Sequence, residues 1–462
     1  MKKIVQQCLL ACLLQVMLYN SAVAQYTLAD SLWLQRMGTY TMTSSRAYDD
    51  LRVLCKEIGH RLSGSPQSLK AVEWAVDVLK KAGADTVWTQ PVMVPVWERG
   101  EEYLKVGTEG KQDKVEALSL GNMHGTDGKE VKAPLVMFRS LEELRAANAA
   151  LIQGKIVFLN VPFPAEELNT FAAYSRVYRI RTQSAGIVCA KGGVGVIIRS
   201  ISTTKDEVPH TGAAHYPDTA CRIPAMAIGN TTADALALAM STGTGTVTAV
   251  MMAHCKMKGM ALSYNVIGEL RGAKHKDKYM LVGGHLDSWD VGEGAHDDGA
   301  GCVQAIQVLR NFKALKHRPA HTLRVVMFMN EENGNRGGAA YADSAVSRKE
   351  HHIFALESDA GGFTPRGIGL IVPEQDRRQV QSWAPLLEPF GLYDFKQEGC
   401  GVDISPLKNT GVRAGELLPD SQRYFDIHHC RHDVLEAVNE RELNLGAAGI
   451  TALLYLIDRY WN

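Results

Sequence analysis

The chain has 462 residues, 46% of them hydrophobic and 22% charged, which is long enough for two or three domains with buried cores. Fifty Lys and Arg residues balance fifty Asp and Glu residues. This neutrality, with no basic run along the chain, argues against nucleic acid or an anionic membrane surface as a partner.

An export signal is predicted over residues 1–24. Lys2-Lys3 precede an apolar stretch from Ile4 to Leu18, and Ala22-Val23-Ala24 fits a small-x-small cleavage site. Two alternatives are an ordinary buried first helix and a lipoprotein anchored at Cys12, although lipidation there would leave a very short apolar region. No other segment has 18 apolar residues in a row, so we expect no membrane span in the mature chain and an exported (periplasmic or secreted) protein.

Seven cysteines would remain after cleavage. An odd number implies at least one free thiol or an intermolecular bond. They form no CxxC pair, so the sequence does not choose disulfide partners for Cys55, Cys189, Cys221, Cys255, Cys302, Cys400 and Cys430.

Residues 25–105 are predicted to open the main domain with two helices and a strand. Apolar residues recur at helical spacing from Tyr48 to Ile58 and again from Leu69 to Leu79. Gly64-Ser65-Pro66 predicts the turn between the helices, and Val87 to Val96 predicts a strand.

Residues 106–262 have a different pattern, in which short apolar runs alternate with glycines. We interpret them as a small α+β domain inserted into the larger one. Helices are predicted over 182–190 and 230–239. The predicted strands cover 133–138, 155–161, 194–198, 223–228 and 246–252.

Residues 263–462 alternate strands and helices, which predicts an α/β fold with a mixed, mostly parallel sheet sandwiched by helices. The predicted strands are 279–282, 323–329 and 353–356, and the predicted helices are 301–312, 338–347 and 440–460. In such sheets ligands bind outside the carboxyl ends of the strands.

Side chains that suit a metal site follow these strands. Two divalent metals roughly 3.5–4 Å apart need two terminal ligands each and one shared carboxylate. The chain supplies enough side chains for that set and for a carboxylate that transfers a proton. The candidates are His285, Asp287, Asp297, Asp298, Glu331, Glu332, Asp359 and His429. Because His428 and His432 lie beside His429, the local sequence does not decide which of the three binds.

Each piece also has an ordinary explanation when taken alone. Asp287 could reach the His285 ring, since residues i and i+2 point the same way in an extended segment, but a surface His near an Asp is common. Asp297 and Asp298, which are flanked by glycines, could form a solvent-exposed turn. His296 beside them is more simply explained as a residue that binds no metal. The adjacent pair Glu331-Glu332 is more specific, because like charges at a buried strand end are costly unless metal or a proton relieves them. The joint pattern at several strand ends favours a site.

Four segments resemble the motifs of the co-catalytic zinc aminopeptidase and carboxypeptidase family (family twenty-eight metallopeptidases, clan MH), in particular its carboxypeptidase Q or plasma glutamate carboxypeptidase branch. They are GGHLDSWDVGEGAHDDGAG, FMNEENGNRGG, ALESDAGG and YFDIHHCRHD. The resemblance covers nearly the full mature chain and implies a zinc aminopeptidase-like fold. The insert, with GVGVII and RIPA, is similar to the protease-associated domain of that branch.

The resemblance also implies a role for each residue. His285 and Asp359 would bind one zinc, Glu332 and His429 the other, and Asp297 would bridge them. Glu331 would be the general base and acid, Asp287 would orient His285, and the Asp297–Asp298 peptide bond would be cis. Some relatives carry a Tyr where this chain has His428, whose imidazole could donate a hydrogen bond to the oxyanion or the substrate.

Together these features predict an exported enzyme with two Zn²⁺ per chain that cleaves terminal bonds of short peptides or dipeptides. The direction of trimming stays open. Arg176, Arg179 or Arg181 could bind a substrate carboxylate, although a solvated helix face is the more ordinary explanation. Nitrogen and oxygen ligands also suit cobalt or manganese.

Two other classes of protein and one assembly also stay open. The chain could be a non-catalytic binding ectodomain that has lost its metals, or a single-zinc acyltransferase of the glutaminyl cyclase type. A homodimer is compatible with the sequence.

Overall fold

The computed structural model describes residues 26–108, 110–216, 221–243 and 245–461. The predicted export signal over residues 1–24 and Cys12 lie outside the described residues. Within the described ranges no helix combines the length and apolar character needed to cross a membrane.

The described residues form strands and helices in alternation. The strands are β1 Thr86–Glu98, β2 Glu102–Thr108, β3 Lys111–Val115, β4 Ala117–Ser119, β5 Val131–Phe138, β6 Ile156–Leu159, β7 Gly195–Arg199, β8 Ala225–Ile228, β9 Val247–Ala253, β10 Lys256–Leu270, β11 His275–His285, β12 His321–Phe328, β13 His351–Glu357, β14 Pro365–Ile371 and β15 Ala414–Pro419. The α-helices are α1 Leu28–Ser44, α2 Ala47–Arg52, α3 Pro66–Ala82, α4 Leu141–Ala146, α5 Ala149–Ile152, α6 Thr170–Ala190, α7 Asn230–Thr242, α8 Ala300–Ala314, α9 Glu331–Gly334, α10 Arg336–Ser347, α11 Glu374–Ser382, α12 Ala384–Leu387, α13 Tyr424–Ile427 and α14 Glu440–Tyr460.

The main sheet has seven strands within the described ranges, in the order β1-β10-β12-β11-β13-β15-β14. Its four inner strands β12, β11, β13 and β15 run parallel, and the outer strands β1, β10 and β14 pair antiparallel. The predicted mixed, mostly parallel α/β sheet is therefore confirmed, and the antiparallel pairs lie at its edges.

Both faces of this sheet are covered, which explains the unbroken apolar runs in its inner strands. Val282, Val325 and Leu356 face a core shared with helices α1, α3, α8 and α14. Their neighbours Leu281 and Val326 face a second core under α10. These side chains are fully buried, and each contributes about 1.5–3 kcal/mol relative to exposure.

A second sheet, with eight strands among the residues described for the middle of the chain, has the order β3-β2-β9-β5-β6-β7-β8-β4. It has its own apolar core, which includes Phe158, Ile197 and Met226. Helices α6 and α7 belong to this part, and a disulfide joins Cys189 in α6 to Cys221. The predicted domain limits at 105/106 and 262/263 fall inside β2 and β10.

Several elements differ from the sequence prediction, and two of them show why. The helix predicted over 182–190 begins twelve residues earlier, at Thr170. Its first turns were not predicted because aromatic and basic residues interrupt the helical pattern of apolar residues there. Strand β10 was not predicted, since its first half lies in an exposed ribbon with β1 and carries no alternating apolar pattern.

Candidate metal centre

The predicted side chains converge at one edge of the main sheet. His285 is the last residue of β11, Glu331 and Glu332 follow β12, and Asp359 lies two residues beyond β13. These strands run parallel, so their carboxyl ends meet at the same edge. His429 arrives from the loop after α13.

Two groups of donor atoms share Asp297. His285 Nε2 lies 3.1 Å from Asp297 Oδ1 and 3.3 Å from Asp359 Oδ1. His429 Nε2 lies 3.2 Å from the other oxygen, Asp297 Oδ2, and 3.1 Å from Glu332 Oε2. One carboxylate therefore faces two imidazole–carboxylate pairs, which is the arrangement that a bridging ligand needs.

The donor set and its charge fit a pair of divalent cations. Imidazole nitrogen and carboxylate oxygen are the ligands of zinc in catalytic sites. Burial raises the pKa of four carboxyls above their usual ranges, and the nearby charge of Asp297 adds to the shift, for Asp298, Glu331, Glu332 and Asp359. Two cations would relieve this crowding of like charges.

A second carboxylate positions the bridging residue. Asp433 Oδ1 accepts a hydrogen bond of 2.7 Å from His296 N, and its Oδ2 accepts one of 3.1 Å from Asp297 N. The following Asp297–Asp298 peptide bond is cis, as the family resemblance implies. The positioning role of Asp433 was not predicted from the sequence, because its partners are 136 and 137 residues away.

Asp287 contacts His285 differently from the prediction. The His285 Nδ1–H donates to the Asp287 backbone carbonyl at 3.0 Å, while the Asp287 carboxylate stays 3.8 Å from that nitrogen. Instead, Asp287 Oδ1 accepts from Asn330 N at 2.7 Å and Glu331 N at 3.1 Å. The main chain of Asp287 orients the imidazole, and its side chain fixes the backbone that carries Glu331.

The three histidines near residue 430 occupy different surroundings. His429 lies in the second donor group, and its ring stacks on that of His428 with centroids 3.5 Å apart. His428 Nε2 lies 3.9 Å from Asp297 Oδ2, and burial together with His429 holds the pKa of His428 well below its usual range. His432 is exposed. His296 belongs to neither donor group, since its Nδ1 accepts from Gly362 N.

Of the three arginines weighed from the sequence, only Arg181 reaches the site. It is 7% exposed, with Nη1 lying 3.2 Å from His429 Nδ1 and Nη2 donating to Tyr174 Oη at 2.8 Å. Within the described residues no carboxylate pairs with it, and its Nε is buried without a partner. Arg176 and Arg179 are exposed on the opposite side of α6.

Comparison with known proteins identifies the family. The profile of Peptidase family M28 matches residues 265–454. Human carboxypeptidase Q is 33% identical over 421 residues, covering 91% of this chain and 87% of that protein. The chain belongs to peptidase family M28.

Solved structures extend the family M28 match to the whole fold. The Peptidase M28 precursor from Shewanella amazonensis SB2B is 32% identical, with a TM-score of 0.88 and coverage of 93% of this chain and 97% of that one. An aminopeptidase from Aneurinibacillus sp. strain AM-1 is 21% identical, with a TM-score of 0.63 and coverage of 92% and 95%. At that identity the likeness is one of fold alone.

Proposed function

We propose that this family M28 protein is an exported, dinuclear zinc exopeptidase that hydrolyses terminal bonds of short peptides. One observation carries the proposal: Asp297 turns one carboxylate oxygen toward His285 and the other toward His429. A carboxylate that only stabilised one histidine would not need to direct its two oxygens at two different imidazoles.

In this proposal His285 and Asp359 would hold one zinc ion, Glu332 and His429 would hold the other, and Asp297 would contribute to both sites. When bound, the ions supply a Lewis acid for the scissile carbonyl and a lowered pKa for the attacking water. Trp289 N donates to Glu332 Oε1 at 3.2 Å, which leaves Oε2 directed at His429.

Glu331 is the group that moves protons. It is half-buried, and burial followed by the charges of Asp359 and Asp403 raises the pKa of its carboxyl well above the usual range. A carboxylate with a raised pKa is a better base near neutral pH. Glu331 takes the proton of the attacking water and returns it to the departing amine, while Asp287 fixes its backbone.

Arg181 supports a preference for substrates with a free carboxyl terminus. A buried guanidinium that has no carboxylate partner is costly, and a substrate carboxylate would supply that partner. The Tyr174 ring beside it is half-buried, so an aromatic ring and a cation lie together next to His428 and His429. Dipeptides, which place their carboxylate one residue from the scissile bond, fit this arrangement.

Export and the domain division are also part of the proposal. The disulfide between Cys189 and Cys221 supports an oxidising compartment, where such bonds persist. The separate core of the eight-stranded sheet supports an inserted protease-associated domain over residues 106–262.

The test is a dipeptide panel read by mass spectrometry with the mature protein, its Glu331→Gln variant and a control Glu57→Gln at an exposed position. We expect free amino acids from wild type and control. Glu331→Gln should lose activity by several orders of magnitude and keep its two zinc ions, because the general base is lost and the ligands are not.

Two outcomes would contradict the proposal. A wild-type protein that binds no zinc and shows no peptide turnover would favour a binding ectodomain. A protein with one zinc ion that cyclises amino-terminal glutamine would favour the acyltransferase.

The direction of trimming has its own test. Arg181→Gln should raise KM at least tenfold for dipeptides with a free carboxylate and leave KM for their carboxamides within about twofold, because only the former lose a charge-assisted hydrogen bond. Arg176→Gln, on an exposed position of the same helix, is the control. Equal losses on both substrates would exclude Arg181 as the carboxylate site.

A further inference from the structure

The segment that carries His429 is held mainly by the inserted part of the chain. Its backbone carbonyls accept hydrogen bonds from side chains and main chain of that part. The bonds are Thr170 Oγ1 to Ser421 O at 2.9 Å, Ser202 Oγ to Phe425 O at 2.8 Å, His210 Nδ1 to His428 O at 2.6 Å and Thr211 N to His429 O at 3.0 Å. The second donor group of the metal centre therefore depends on residues that are remote in sequence.

His429 itself needs such support. Its φ is +61°, in the left-handed region that residues with a β-carbon rarely adopt. This backbone turn aims Nε2 at Asp297 and Glu332. The carbonyl immediately before the turn, that of His428, is the acceptor of the His210 bond.

His210 is built to hold this carbonyl. Its side chain is 2% exposed, and because a carbonyl can only accept, Nδ1 must carry the hydrogen. Its backbone N donates to Ser200 Oγ at 2.9 Å, and Ser200 Oγ in turn donates to Ile228 O at 2.8 Å. The backbone of His210 is thus tied to the end of β8 in the inserted sheet.

The next residue completes the contact. Thr211 O accepts from His429 Nδ1 at 3.3 Å and from Arg181 Nη1 at 3.4 Å. A histidine that binds metal through Nε2 has its ring orientation set by the acceptor at Nδ1. Residues 210 and 211 therefore fix both the backbone turn and the ring of His429.

We propose that His210 is a positioning residue for the second metal ion, through its hydrogen bond to the His428 carbonyl. The inserted part is then a component of the metal centre and not only a cover for it. This inference rests on the proposed dinuclear function.

The test compares two substitutions in the full mature chain. His210→Leu removes the donor, whereas His210→Asn keeps an amide N–H at the position of Nδ1. Zinc bound per chain is measured by mass spectrometry after dialysis against graded zinc buffers. We expect His210→Leu to keep one zinc ion at wild-type affinity and to bind the other about 10–100-fold more weakly, and His210→Asn to stay within a few fold of wild type for both.

The controls separate a local effect from a general one. His215→Leu, at an exposed position of the same part, should bind both ions as wild type does. Thermal unfolding of the metal-free variants checks that they fold alike. If His210→Leu does not fold, His210→Gln takes its place, since its amide lies where Nε2 lay and cannot reach the His428 carbonyl.

Two results would overturn the role of His210: unchanged zinc binding in His210→Leu, or the same loss in His210→Asn as in His210→Leu. A wild-type protein that binds fewer than two zinc ions would overturn the proposed function and the role of His210 with it.

Discussion

The carboxyl group of Asp297 differs in its pKa from the carboxyl groups around it. Burial acts against the ionisation of Asp297, but hydrogen bonds with His285 and His429 hold the pKa of this carboxyl well below its usual range. The pKa of its neighbour Asp298 is raised by burial, and Asp298 accepts bonds from His285 N and Gly301 N. Two adjacent aspartates thus differ in role: Asp297 is held in its charged form between two imidazoles, and Asp298 accepts hydrogen bonds from the backbone.

A buried carboxyl behind the site gives a pH-dependent prediction. Asp403 is 1% exposed, and burial, with the charges of Asp287 and Asp359, raises its pKa to about 8. Below pH 4 both folded and unfolded chains are protonated there. Between pH 4 and 8 the folded chain holds a proton that the unfolded chain releases, so stability falls as pH rises.

We therefore expect Asp403→Asn, which mimics the protonated form, to gain stability relative to wild type between pH 5 and pH 8. The gain is at most about 1.4 kcal/mol per pH unit. Urea unfolding of the metal-free proteins measures it, with the exposed Asp277→Asn as control. A constant difference between Asp403→Asn and wild type across this range would contradict the raised pKa.

At the scale of elements, helix α6 links the inserted sheet to the metal centre. Tyr174 and Arg181 on its buried side approach His428 and His429, and Cys189 near its end bonds Cys221. The disulfide closes a loop with a sequence separation of 32 residues. Such a bond stabilises the folded state because it lowers the conformational entropy of the unfolded chain.

Replacing both Cys189 and Cys221 by Ser should lower the free energy of unfolding of the inserted part by about 2–4 kcal/mol. Scanning calorimetry with and without dithiothreitol measures the change. The reductant should shift the wild-type transition and leave the double variant unaffected. Cys400→Ser, at a buried free thiol, is the control.

Elements with a strong local signal were predictable. Helix α14 begins and ends where the sequence predicted, because Asn439 caps its first turn and its apolar face is continuous. The three parallel strands that end at the site have apolar runs long enough to identify. Strand β10 and the first half of α6 lack such a signal.

The part of the site that lies at strand ends was predictable from residue types and from the positions of the strands. The positions of His285, Glu332 and Asp359 followed from the ends of strands, and the choice of His429 followed from family resemblance. The contacts of Asp433, His210 and Thr211 did not, since they join residues 136 to 218 positions apart and leave no local pattern.

At the scale of the whole molecule, the two cores meet at Trp289. Its ring packs in the inserted core beside Trp97, at 5.7 Å from the His429 ring, and its backbone N–H donates to Glu332 Oε1. A Cβ at Gly121 would lie 2.0 Å from the Trp289 ring, so only glycine fits there. The metal centre and the contact between the two cores therefore share residues.

Metal binding should consequently stabilise the whole chain. A site filled at 1,000 times its Kd adds about 4 kcal/mol to the free energy of unfolding. We expect chelation to lower Tm by several degrees and zinc to restore it, as measured by calorimetry. Asp297→Asn should show little response to zinc. An unchanged wild-type Tm on chelation would contradict this coupling.

The ribbon of β1 and β10 joins the two sheets at a single place. Glu98 and Lys256 are paired neighbours at its tip, so the chain leaves the main sheet and re-enters it at one point. A hairpin turn would be enough to connect these two residues. The strand order of the main sheet is therefore independent of how the chain between Glu98 and Lys256 folds.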